Sequence, residues 1–546
     1  MGFDFDILRR IARDKFIHIL ESSPTGKIVV FDVSLLKPLD RIVGASILKQ
    51  HGVNKIYKFH EFTAKLAENA HYCIYVVPPT VRHAQIIAQQ VCDSTRECSC
   101  RFTVVFVPVK FAFCDRVLEK NGASGLIQVE EFSWSFVPLE ADLLSMELPR
   151  FMAVARSLVD FQTLYGVFPA FTCIGRYSCI VERLTKTLTL DIVNSGSKFP
   201  SQTFTDAFLI DRSVDFATVF LSCLTYESLV DEFFTIQCGY VEFGPEVTKK
   251  DRPQRRLLNA GDQVFALIRD KHFSDVFRIL KKSTEHLRKE FDKRQKLTTD
   301  ELKHFIRTDL KDLKVEHQSL AFHITVSEVI EQRRELEEQL DFENRIISDL
   351  DYSSSFDFIR DCVALQIPEN ICLSLICLLS LVQNGLAQKD YNTLRSEFLQ
   401  AYGHRHLVTF FALNSPSAGF RGLCKRFKLA PGDDVFRQEE SGNLAYVFNG
   451  AYVPFACQTV KMAFETSKAK DEFFHSLGCL AELQRSSDEA IIPSRRSIFV
   501  CFLGGVTYAE IAGLRLLSQL KQCDICIAAT SVVSPVFASV RNSVHF

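Results

Sequence analysis

The chain has 546 residues and a formal charge of −2, from 64 basic and 66 acidic side chains. With 47% hydrophobic and 24% charged residues it is composed like an ordinary folded protein of about three or four domains, which excludes a largely disordered chain. The near-neutral charge excludes a general nucleic-acid binder, which needs a basic excess to neutralise phosphates. Phenylalanine is overused: 48 residues, against 13 Tyr and one Trp.

The N-terminus, MGFDFDILRRIARDK, carries charges where a signal peptide would place its apolar core. Residues 1 to about 130 then alternate short apolar runs with helical segments. The runs Lys27–Val33, Asn54–Phe59, Tyr72–Val77, Phe102–Val107 and Gly125–Val129 read as strands. Between them, Leu39–His51 and Val81–Val91 read as helices, the first closed by Gly52 and carrying Leu39, Val43 and Ile47 on one face. Such alternation predicts a parallel sheet covered by helices on both sides.

A second α/β portion follows, with a helix at Ala153–Tyr165, a strand at Ala207–Ile210 and a helix running through Asp231. The same texture returns at the far end: strand Ser497–Leu503, helix Thr507–Leu520, strand Ile525–Val533. Two strands at a chain end need a sheet to join, so they are expected to complete the one begun before residue 245. Between these portions, residues 247–350 hold 22 basic and 20 acidic side chains, 40% charged. Residues 249–314 are mainly basic and 331–351 mainly acidic, with Arg333–Glu337 and Arg334–Glu338 at the i,i+4 spacing. Either a solvated helical surface or a helical arm that meets partner helices accounts for this. Ile371–Val382 is the longest apolar candidate and falls short of the roughly 18–20 residues that span a bilayer. A cytosolic protein is expected, touching membranes only through partners.

Signals for covalent chemistry are poor. The 18 cysteines are scattered through apolar runs and read as small hydrophobes. Cys523 and Cys526 form a C-x-x-C without a second pair nearby, and residues three apart on a strand face opposite ways. Gly504-Gly505-Val506-Thr507 turns from strand to helix without the lysine of a phosphate loop. Thr507 and Glu510 have the spacing of a capping box instead. Asp211, Arg212 and Asp215 stand at the carboxyl end of a strand, where open α/β sheets place ligands. The two carboxylates suit a metal or acid–base pair, or they cap the next helix while Arg212 ties down the loop. His404 and His406 lack a carboxylate in sequence to complete a metal set. No catalytic residue, cofactor or metal site is assigned, and no enzyme activity is expected.

The stretch AFLIDRSVDFATVFLSCLTYESLVDEFF (207–234) resembles a signature of the Sec-one/Munc-eighteen (SM) family, through Asp211, Arg212, Asp215, Leu224, Thr225, Tyr226, Leu229 and Asp231. FLGGVTYAEIAGLR is similar to a second, with Gly504, Gly505, Thr507, Glu510, Ile511, Leu514 and Arg515. PLEADLLSMEL, from Pro138, is similar to a third. LDRIVGASILKQHGVNKIYKF, AYVFNGAYVPFAC and NGLAQKDYNTLRSEFLQAYGHRHLVTF resemble the vacuolar protein sorting thirty-three class. Val219 and the ending Phe-Gly-Pro-Glu-Val at Val247 lean to its B-type. Two stretches, between Leu148 and Val154 and between Leu413 and Ala445, look shorter than the family pattern.

The resemblance implies an arch-shaped fold with two parallel-sheet α/β domains and a mainly helical third. The boundaries are expected at 1–132, at 133–246 with 445–546, and at 247–444. It implies a SNARE-binding chaperone and tethering-complex subunit acting in docking, fusion and sorting at endosomes and lysosomes. A helical-repeat partner of the vacuolar-sorting sixteen type is expected. A scaffold that holds this partner without templating SNAREs is the alternative; an α/β enzyme using Asp211 and Asp215 is a distant one.

Overall fold

The computed structural model describes residues 4–24, 26–62, 71–94, 100–147, 151–169, 171–196, 198–293, 309–333, 337–348, 351–413, 429, 443–477, 481–483 and 495–533. The chain divides into two compact units, Met1–Val167 with Ile180–Thr203, and Phe168–Cys179 with Phe204–Phe546.

In the first unit, strands β1 (Lys27–Phe31), β2 (Val53–Lys58), β3 (Tyr72–Val77), β4 (Arg101–Phe106) and β5 (Ile127–Glu131) pair in parallel in the order β2-β1-β3-β4-β5. Alternate residues serve opposite faces, as the period of a strand requires. Val29, Phe31, Ile74 and Val76 pack with Phe16 and Leu20 of helix α1 (Asp6–Glu21), Leu39 of α2 (Val33–Ile42) and Leu48 of α3 (Ala45–Gln50). Ile28, Val30, Cys73 and Tyr75 face the other way, onto Ile87 and Val91 of α4 (Val81–Ser94) and Cys114 of α5 (Ala112–Lys120). Both faces are covered, which explains why β1 is buried at all five positions. The single helix expected over Leu39–His51 is two. Val43 and Gly44 are extended between α2 and α3, with Gly44 as the N-cap of α3. Leu39, Val43 and Ile47 still share one core, so the apolar spacing reported burial and not a continuous helix. An antiparallel hairpin, β6 (Val137–Pro138) and β7 (Leu143–Ser145), and helix α6 (Phe151–Tyr165) follow.

The second unit contributes five strands in the order β12-β8-β9-β13-β14. Strand β8 (Phe171–Ile174) leads into α7 (Arg176–Asn194), and β9 (Asp206–Asp211) lies parallel to β8. Strand β13 (Ser497–Leu503) pairs in parallel with β9 and with β14 (Asp524–Ala529), so the C-terminal strands join the sheet that β9 belongs to. Strand β12 (Ala481–Leu483) runs antiparallel on β8. Phenylalanine fills this core: Phe168 meets Phe171, Phe204 and Phe499 with ring centroids 5.1, 5.8 and 4.8 Å apart, pairings that add to the area they bury.

Between β9 and β13 the chain is mainly helical: α8 (Ala217–Phe220), α9 (Tyr226–Phe234), α10 (Pro245–Thr248), α11 (Gln263–Ile268), α12 (Phe273–Lys293), α13 (Asp309–Arg333), α14 (Glu337–Ile347), α15 (Tyr352–Ala364), α16 (Glu369–Val382), α17 (Gln388–Tyr402), α18 (Leu407–Leu413), α19 (Phe455–Lys461) and α20 (Ser467–Leu477). The hairpin β10 (Tyr240–Phe243) and β11 (Gln254–Leu257) interrupts it. On α12, Phe273, Val276, Leu280 and Leu287 are buried while Arg278, Lys281, Lys282, Arg288 and Lys289 are exposed, one apolar stripe under a basic face. Helix α16, the apolar run of the sequence, is buried along nearly its whole length. The pairings expected at Arg333–Glu337 and Arg334–Glu338, and most of the two shortened stretches, lie outside the described side chains.

Candidate functional site at the strand ends

Strand β9 ends at Asp211, and the chain turns at once into helical geometry. Asp211 holds that turn from both sides: Oδ1 accepts the Ser213 N–H at 3.0 Å and Oδ2 the Tyr177 N–H at 3.1 Å. Gly175 makes room for it. A Cβ there would stand 2.3 Å from the Asp211 Cβ, at a φ of +96°. Asp215 accepts the Thr218 N–H and hydroxyl at 3.1 and 2.5 Å and the Phe455 N–H at 3.1 Å, joining α8 to α19. Each oxygen of the two carboxylates is therefore taken by a neighbouring donor. The helix-capping geometry weighed from sequence is the one the residues adopt.

Arg212 lies between these aspartates and reaches across the fold. Its Nη1 donates to Glu510 Oε2 at 2.7 Å, and Nη2 donates to the Asp215 carbonyl. The pair is closed to water, at 4% and 0% side-chain exposure. Burial by itself weakens the Arg212 cation, but Glu510 and Asp215 outweigh that and hold the guanidinium protonated more firmly than in water. Glu510 is the third residue of helix α21 (Tyr508–Lys521) and completes its capping box. Its Oε2 accepts the Thr507 N–H at 3.0 Å, and Thr507 Oγ1 accepts the Glu510 N–H at 3.2 Å. Gly504 and Gly505 deliver the chain to that cap at φ of +91° and +106°. A Cβ on Gly505 would stand 2.5 Å from Val533 Cγ1.

The remaining signature residues reach other elements. Asp231 Oδ1 accepts the Ile236 N–H at 2.7 Å, closing the end of α9. Tyr226, fully buried, bonds His323 Nδ1 on α13 at 2.7 Å, and His323 Nε2 faces Asp262 Oδ2 at 3.4 Å. Burial alone would raise the Asp262 carboxyl, yet hydrogen bonds from His323 and Ser319 hold it down at about 2. Arg515 of α21 meets Glu227 and Asp270 at 3.3 and 3.1 Å. A partly open pocket of about 30 Å³, room for one water, lies between α8, α9 and the start of α21.

Several of these partners escaped the sequence. Asp262 was visible in principle as an N-cap, since it precedes a short apolar helix and accepts the Val264 and Phe265 N–H groups. His323 carries no local signal; its role exists only because α9, α11 and α13 meet. In the first unit, Asp32 at the end of β1 bonds His83 Nε2 at 2.9 Å, and His83 Nδ1 bonds Thr80 Oγ1, beyond β3, at 2.6 Å. These residues bridge the point where the strand order reverses, which ligands occupy in other doubly wound sheets. His406 meets Glu369, 37 residues away, at 3.0 Å, together with Arg405. Cys523 and Cys526 are both buried, and burial pushes the Cys523 thiol up to about 11.

The pattern of the Sec1 family matches residues 27–536. The chain belongs to the Sec1 family. The human (Homo sapiens) vacuolar protein sorting-associated protein 33B is 34% identical over 97% of this chain and 96% of its own length. That alignment spans 595 positions against a chain of 546, so it opens gaps in this chain. The rat (Rattus norvegicus) vacuolar protein sorting-associated protein 33A is 29% identical over 97% and 96%. Among solved structures, the SM protein Vps45 in complex with the Qa SNARE Tlg2 superposes with a TM-score of 0.60 at 15% identity. It covers 100% of this chain and 98% of that one, which shows the SM fold.

Proposed function

We propose that this chain is an SM-type, SNARE-binding chaperone and tethering-complex subunit that promotes vesicle docking and fusion and protein sorting at endosomes and lysosomes. The observation that carries this is the match to 33B-type relatives along almost the entire length of both chains. Vps45, which shares the fold, was solved in complex with a Qa SNARE, and this supports SNAREs as the partner class here. The chain would hold SNARE helices in register and contribute no covalent chemistry. Signature residues such as Arg212 and Glu510 then build the fold that presents the binding faces. Three domains are proposed, 1–132, 133–246 with 445–546, and 247–444. The parallel pairing of β13 with β9 supports the discontinuous one. Among the described residues no helix is long and apolar enough to cross a membrane, in keeping with recruitment to late endosomal, lysosomal or recycling-endosome membranes through partners.

We also propose a helical-repeat partner of the vacuolar-sorting sixteen type, for which one exposed aliphatic surface is available. Leu365, Leu407 and Val408 are 76%, 50% and 65% exposed. They belong to one end of the α15–α18 bundle, which the Tyr402 hydroxyl bond to the Ile367 carbonyl and the Arg405–Glu369 pair draw together. Large aliphatic side chains left in water on neighbouring turns suit a protein interface. Co-purification separates the two activities. Charge reversal at Lys281, Lys282, Arg288 and Lys289 is expected to reduce SNARE capture and flatten its salt dependence while the helical partner is retained. Leu407→Asp with Val408→Asp is expected to do the reverse. If SNARE capture and its salt slope survive the charge reversal, the proposed SNARE face is wrong; a chain that captures only the helical partner is a scaffold.

A further inference from the structure

Helix α1, the segment 133–135 and helix α6 wall a cleft of about 100 Å³ within the first unit. Its apolar lining includes Leu8, Ile11, Leu164 and Trp134, and its charged lining is Lys15 and Asp160. The floor is fixed, because Leu8 and Trp134 are buried and the indole N–H donates to the Met146 carbonyl at 2.7 Å. Ile11 at the rim is 38% exposed, an aliphatic side chain held in water beside an apolar floor. An aliphatic cavity of roughly 150 Å³ takes up benzene, so this one has room for a single aliphatic side chain.

The two charges come from different helices, and both residues are exposed. Among the described residues, neither the Asp160 carboxylate nor the Lys15 ammonium is engaged in a hydrogen bond or ion pair. The surrounding protein nevertheless withdraws water from Asp160: burial pushes its carboxyl up, with Lys15 and Arg156 acting against the shift. A carboxylate in that position is stabilised by an arriving cation, and Lys15 offers the matching place for an anion. A ligand that satisfies all three features carries an aliphatic group between opposite charges. Residues spaced by one helical turn on one face of a helix supply that arrangement.

We infer that this cleft is a docking site for a partner helix that inserts one aliphatic side chain beside Ile11 and Trp134, with a carboxylate toward Lys15 and a Lys or Arg toward Asp160. The site stands independently of which SNARE the chain handles. Trp134 is the only tryptophan in the sequence, so its emission reports on the cleft alone. The full chain is titrated with an alanine-rich, tryptophan-free helical peptide carrying Glu, Leu and Lys one turn apart. A saturable change in Trp134 emission is expected. Replacing the peptide leucine by alanine is expected to weaken binding by roughly tenfold, the loss of one anchoring side chain. Asp160→Asn and Lys15→Gln, both at the exposed mouth, are each expected to weaken it by roughly three- to tenfold with unchanged melting. A peptide with Glu in place of its Lys is expected to bind Asp160→Lys more tightly than the unaltered chain. The inference is overturned by any of three outcomes: no saturable change, equal binding of the alanine peptide, or affinities untouched in both Asp160→Asn and Lys15→Gln. None of these bears on SNARE capture, which is read separately.

Discussion

The two parallel sheets solve the same problem at their carboxyl ends in different ways. In the first unit Asp32 caps α2 through the Ser34 N–H at 2.9 Å and takes His83 from 51 residues away. The clamp is only partly open to water, with side-chain exposures of 17% and 20%. In the second unit Asp211 makes the local cap, but its neighbour Arg212 is sealed and finds Glu510 from 298 residues away. A sealed charge needs a partner held firmly in place, and the capping box of α21 fixes Glu510 through the Thr507 N–H at 3.0 Å. The two most recognisable motifs of the sequence are therefore halves of one buried structure, joined across 298 residues.

Breaking the sealed pair tests the comparison most strongly. Glu510→Ala is expected to cost about 3–5 kcal/mol in urea unfolding, because it leaves Arg212 buried without its main partner. Replacing both, Arg212→Met with Glu510→Leu, is expected to recover much of that; a loss below about 1 kcal/mol for Glu510→Ala would show that water reaches the site. Gly505→Ala comes next. At φ +106° with Val533 in the way it is expected to cost about 1–3 kcal/mol, whereas Gly122→Ala in the first unit, at φ +75° with open space, is expected to cost less. The smallest effect belongs to the open clamp. His83, chiefly, holds the Asp32 carboxyl down at about 2. Its contribution is thus present above the unfolded value near ~3.9 and is lost as pH falls toward about 2. Discounted for solvent, it amounts to about 1 kcal/mol. Asp32→Asn is therefore expected to lower stability at pH 7 and to leave it nearly unchanged at pH 2, as followed by urea midpoints; an equal loss at both would assign the effect to packing.

Much of the first sheet was legible because its central strands β1, β3 and β4 are runs of apolar residues. Tyr72–Val77 and Ser497–Leu503 coincide with their strands, and the Thr507–Glu510 cap follows from spacing alone. Val43–Gly44 shows the limit: periodicity marks what is buried, and only backbone geometry decides whether one helix or two does the burying. The near-zero charge hid the basic face of α12, which became visible once the buried stripe of Phe273, Val276 and Leu280 set the orientation of the helix.

By itself the sequence determined the α/β alternation, the family signatures and the local caps, since all of these depend on residues within a turn or two of one another. Only the tertiary structure decided which residues those signatures serve. Arg212 with Glu510, Tyr226 with His323, and Arg515 with Glu227 and Asp270 join segments about a hundred or more residues apart. The phenylalanine excess belongs to the same division: composition records it, but the Phe168, Phe204 and Phe499 cluster exists because one sheet assembles distant strands around it. Ring packing and buried charge are both settled by what lies across the core, and a linear chain does not carry that distance.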